Sequence, residues 1–139
     1  MAKWLMAALL ALEAHFAASY LVPLDAPSQH TFGGLLLWAW PWGDGDSGPL
    51  GQVTVASGFP VAGFFLAMTT TGLFVLALMS LMGWWVPSTW WRILAGAGAT
   101  LSLVLMALFL GPTKLLPMAL DLFLLWAVLT NAFPTLVTE

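Results

Sequence analysis

The chain contains no cysteine. That absence excludes thiol nucleophiles, disulfides, iron–sulfur clusters and thiolate metal sites. Charge is almost as scarce. Of 139 residues only three are Lys or Arg and six are Asp or Glu, whereas a soluble domain carries about a quarter charged residues. So few charges cannot coat a water-facing surface of this size. Three basic residues and a net charge of −3 also argue against a nucleic-acid partner, which requires clustered Lys and Arg to neutralise phosphates. What fills the chain instead is apolar: 61% hydrophobic residues and a mean hydropathy of +0.97. This is the composition of an all-α integral membrane protein, a single membrane domain over 1–139 with no room for a soluble catalytic domain.

A membrane-spanning helix needs about 20 mostly apolar residues, and four segments qualify. They run from about 3 to 22, stopping at Pro23; from about 58 to 82, ahead of the turn GWWVP; from about 88 to 111, with Ser88 as a plausible N-cap; and from about 115 to 136, with Pro117 in the first turn, where its missing N–H costs little. Lys3 followed by WLMAALLAL has the order of charge and apolarity of a signal peptide, but a spanning helix is the better reading. The expected architecture is a four-transmembrane-helix bundle with one long connection, 23–57, rich in Trp, Gly and Pro.

That connection contains GGLLLWAWPWGDGDSGPLG. Its apolar run is too short to span, and Trp38, Trp40 and Trp42 suit headgroup depth, where one end of an amphipathic ring is dry and the other wet. The segment is therefore an interfacial element, and the three tryptophans are candidate partner contacts. The same logic puts Trp4, Trp84, Trp85, Trp90 and Trp91 at one interface and leaves Trp126 deep. Lys3 and Arg92 fall on one side and Lys114 on the other, so the positive-inside rule places both termini in the cytoplasm and the 23–57 loop outside.

Within these apolar segments sit a few polar residues at matching depth. His15 lies seven residues before Val22, and Asp121 seven after Lys114, each about 10 Å below the same interface. Glu13 is one step deeper. Thr70, Thr100 and Ser102 fall near the same level, so every helix contributes to one polar slab. A carboxyl group there faces the bundle interior, finds partners or keeps its proton. Glu13 and His15, two positions apart, point to opposite sides of one helix. The small residues Ala7, Ala11, Ala14 and Ala18 mark a close-packing face beside His15. On that basis His15 points inward and Glu13 outward, toward another polypeptide. Helix three carries a second small stripe, Ala95, Ala99 and Ser102, flanked by Gly96 and Gly98.

His15 is the one membrane histidine, a candidate ligand for a quinone, a haem or a chlorophyll-type pigment; bound lipid is expected too. A two-histidine haem within one chain is disfavoured, because His30 lies in the loop. The order of elements resembles small quinone-linked membrane proteins of the DoxX type; no motif is shared with them, and no residue role is carried over. The sequence favours a small accessory subunit of a larger membrane complex, in respiratory or photosynthetic electron transport, with other membrane subunits as partners and no catalysis of its own. The alternative is a self-sufficient quinone-linked redox or proton-handling protein that uses Glu13, His15 and Asp121.

Overall fold

The structure is a computed structural model that describes residues 1–19, 60–108 and 114–132. These residues form four α-helices and no strand: α1 Ala2–Ser19, α2 Pro60–Met82, α3 Trp91–Leu108 and α4 Leu115–Leu129. The 23–57 connection, with Trp38, Trp40 and Trp42, lies outside the described residues. So do the expected helix ends at 20–22, 58–59, 109–111 and 133–136.

Two stretches are long and apolar enough to cross a membrane, Gly63–Met82 and Ser88–Leu108, and Leu115–Leu129 is apolar but shorter. α2 is apolar on every side: Phe64, Phe65, Met68, Val75 and Leu76 are exposed while Ala67, Phe74, Ala77 and Leu81 are buried. A helix of that kind belongs in hydrocarbon or in the heart of a much larger protein.

The helices close a ring, since α1 packs on α2, α2 on α3, α3 on α4, and α4 on α1. Only five residues separate Met82 from Ser88 and six separate Leu108 from Leu115. Such links are too short to carry the chain back along a helix, so α2 and α3 run antiparallel, as do α3 and α4. The buried cluster joins Met6 and Leu10 of α1 to Leu81, Trp91 and Ala127, so one end of the bundle gathers the start of α1, the end of α2, the start of α3 and the end of α4. It is called here the tryptophan end, and the other the Lys114 end.

Local chemistry explains the helix stops. After α2, Gly83 takes a left-handed φ of 76°. Its N–H bonds to the Ser80 carbonyl, while Trp84 N–H reaches back to Met79 at 2.8 Å. This is a Schellman cap, for which glycine carries no Cβ penalty. The Ser80 hydroxyl donates to the Pro87 carbonyl at 2.5 Å and staples the turn. α4 ends the same way: Asn131 has φ 53°, and Ala132 N–H bonds to Ala127 at 3.0 Å. The expected continuation to 136 is thus corrected. Asparagine tolerates the left-handed conformation and stops the helix despite the apolar residues beyond it. Ser88 does not cap α3; it opens a short 3-10 turn, Ser88–Trp90, with no side-chain cap bond.

Apolar packing fills the tryptophan half. Met6, Leu10, Phe74, Leu81, Trp91, Ala95, Ala99, Leu124 and Ala127 belong to one continuous buried cluster. Small residues bring the backbones together there. A Cβ on Gly98 would lie 3.1 Å from the Phe74 ring, and one on Gly96 would lie 3.5 Å from Val128. The small stripe of α3 is consumed by packing inside the chain.

Trp91 is a correction to the aromatic belt, because it is 1% exposed and part of the core, with the Arg92 guanidinium 5.5 Å from its ring centroid. Trp126 is a second correction. With α4 ending at Leu129, it stands in the last turn, exposed, instead of deep. Trp4, Trp84, Trp85, Trp90 and Trp126 are all exposed, and all five lie at the tryptophan end.

Candidate functional site

Each helix contributes a buried polar side chain: Glu13 from α1, Thr70 from α2, Ser102 from α3 and Asp121 from α4. Three of these share a level. Glu13 meets Asp121, and Asp121 meets Ser102, across the interior. Glu13 and Asp121, both 0% exposed, are close enough for their carboxyl groups to interact, and the Ser102 hydroxyl lies against Asp121. No donor among the described residues gives a well-formed hydrogen bond to Glu13 Oε1 or Oε2, or to Asp121 Oδ1 or Oδ2, and Ser102 Oγ is likewise unsatisfied.

The rotation of α1 that brings Glu13 inward follows from its larger side chains. Met6, Leu10, Glu13 and Ala17 recur at helical spacing and are buried; Trp4, Ala8, Ala11 and His15 form the opposite, exposed stripe. This overturns the inward assignment of His15 and the outward assignment of Glu13. Burying Met6, Leu10 and Phe16 removes more apolar surface than burying a line of alanines, so bulk outweighed smallness in setting the face. Ala7 and Ala14 still pack inward, while Ala11 is exposed. Glu13 as a partner contact is corrected with it, because the chain's own α4 takes that place.

The remaining slab residues separate from the carboxyl pair. His15 stands on the exposed side, its ring 6.1 Å from that of Phe16. Thr100 is exposed and donates to the Gly96 carbonyl at 2.8 Å. The Thr70 hydroxyl, although buried, is satisfied by the Leu66 carbonyl at 2.8 Å. Of the six residues expected in one cluster, the structure assembles Glu13, Ser102 and Asp121.

No family model, curated protein or solved structure matches the chain. Function therefore rests on the site itself.

Chemically, the site holds two acids and a hydroxyl in a dry interior. Among the described residues there is no group of three or more His, Cys, Asp or Glu placed to hold a metal ion. A groove of about 320 Å³ runs along the α1–α4 seam toward the tryptophan end, lined by Ala2, Leu5, Met6, Leu9, Leu120 and Phe123. Its lining is wholly apolar and suits a hydrocarbon chain more than a polar substrate. The buried Lys114, at the N-cap of α4, lies seven residues from Asp121, about 10 Å of helix rise. What the arrangement can do is hold a proton between two carboxyl groups and give it up.

Proposed function

We propose that the chain is a multi-pass membrane protein in which all four helices cross the bilayer, and that it binds and releases protons at the Glu13–Asp121 pair. The observation that carries this reading is the burial of two carboxyl groups side by side, on adjacent helices, with no donor among the described residues in a well-formed hydrogen bond to either. Two ionised carboxylates in such a place repel one another and lack solvation. A proton held between them replaces that repulsion with a charge-assisted hydrogen bond. Acids inside membrane helices face the bundle interior and commonly serve proton relays.

The four-span layout is supported by the exposed aliphatic residues of every helix and by the five exposed tryptophans at one end. With Glu13 turned inward, α1 presents no Asp or Glu on its outer side, and Lys3 is its one Lys or Arg. An accessory role in a larger complex remains compatible with the small size and scarce charge, but the outward Glu13 that favoured it is gone.

The test is proton uptake by the purified chain in weakly buffered detergent. Wild type should take up more protons between neutral and alkaline starting points than Glu13→Gln or Asp121→Asn, and the double variant should match the singles. Equal uptake by all four would remove the proposal.

A further inference from the structure

The ring of helices is not closed equally on all sides. α1 packs broadly on α2, α2 on α3 and α3 on α4, whereas α4 and α1 are only thinly packed against each other. Helix length does not explain the difference, since α3 has 18 residues like α1 and packs closely on the same α4. The groove of about 320 Å³ lies in this seam, between Leu5 and Leu9 on one side and Leu120 and Phe123 on the other. A seam that buries little apolar area is where a bundle opens at least cost. Glu13 and Asp121 stand on the two helices that border it and meet across it.

From this arrangement we infer that the proton shared by Glu13 and Asp121 latches α1 to α4, and that its loss parts the two helices along the groove. The inference rests on the proton-binding reading and adds what the proton does to the fold. With the proton in place, one carboxyl group donates to the other and ties the two helices together. Without it, two like charges face each other across the most thinly packed seam of the ring. Neither receives a well-formed hydrogen bond from a donor among the described residues. α1 stays packed on α2 and α4 on α3, so this seam can widen while the rest of the ring holds. Widening relieves the repulsion and admits water to the carboxylates, whose burial without solvation is costly. The charged and titratable groups on the surrounding helices are few. α2 contributes none over 60–82, α3 carries Arg92 in its first turn, and Lys114 precedes α4. On α1, Lys3 lies at the tryptophan end and His15 on the exposed side.

The experiment uses the full chain in lipid nanodiscs, where the lack of native cysteine leaves introduced labels without background. Spin labels at Ala11→Cys and Leu122→Cys, both exposed positions, report the α1–α4 separation. Labels at Val104→Cys and Leu122→Cys, also exposed, report α3–α4 as a reference. Each distance is measured at a pH where the infrared carbonyl band of the protonated pair is present and at one where it has gone. The α1–α4 distance is expected to grow by about 2 Å or more as the band is lost, and the α3–α4 distance to stay fixed. In Glu13→Gln and Asp121→Asn one acid faces an amide and no repulsion can develop, so the α1–α4 distance should not change with pH. A constant α1–α4 distance in wild type while the band disappears would overturn the inference and leave proton binding standing. So would a widening that persists undiminished in both variants. A carbonyl signal that does not respond to pH would overturn both.

Discussion

Glu13 and Asp121 make one unit, so their substitutions should not add. Glu13→Gln and Asp121→Asn keep volume and hydrogen-bonding capacity, and each alone leaves one acid facing an amide. The double-mutant cycle in detergent unfolding is expected to show a coupling of about 0.5–3 kcal/mol, the range for residues in direct contact. Additive effects would mean that the two do not meet. Packing at Gly98 gives an independent residue-scale prediction. Gly98→Ala places a methyl 3.1 Å from the Phe74 ring and should destabilise by about 1–3 kcal/mol. Gly72→Ala meets nothing within 4 Å and should be neutral or stabilising by up to about 1 kcal/mol. Chemical unfolding of the two variants separates them. The shared depth of Glu13, Ser102 and Asp121 was legible by counting along the helices. The rotation of α1 was not. Two stripes compete on that helix, one of small residues and one of bulky ones, and a single chain gives no measure of how much surface each will bury.

At the scale of elements, the turn between α2 and α3 carries the sharpest expectation. Gly83→Ala meets no atom within 4 Å but must hold φ 76°, so strain alone should cost about 1–2 kcal/mol. A loss of that size in thermal unfolding, with the helix content unchanged, is the expected outcome. Trp85 sits two residues later with φ 53° and 96% exposure, an uncommon conformation for a bulky residue. Trp85→Gly should therefore raise stability in detergent by about 1 kcal/mol while weakening anchoring at a lipid interface. The existence of all four helices could be read from hydropathy, since each is a long apolar run between Gly, Pro or polar breaks. Their ends were harder. The stop at Asn131 depends on one residue adopting a left-handed conformation in front of further apolar sequence, and no periodicity announces it. Trp91 was misplaced for a related reason: adjacent tryptophans look alike in sequence, although a helix turns Trp90 outward and Trp91 inward.

At the scale of the whole molecule, the described residues form a ring of four helices with an apolar exterior, exposed tryptophans at the tryptophan end and an acid pair below the core. The chain has no native cysteine, so single introduced cysteines report topology without background. Thr89→Cys and Asn131→Cys should label from one side of a sealed vesicle, and Leu115→Cys from the other. Labelling of all three from one side would break the four-span layout. In the proposed four-span layout α4, rising about 22 Å against a hydrocarbon core of about 30 Å, would thin the bilayer beside it. The measurement that bears most directly on the central claim is the infrared spectrum of the purified protein near neutral pH. Wild type is expected to show the carbonyl stretch of a protonated carboxyl group in a dry environment, absent from both Glu13→Gln and Asp121→Asn. No such band in wild type, or one that persists unchanged in both variants, would contradict a proton held between Glu13 and Asp121.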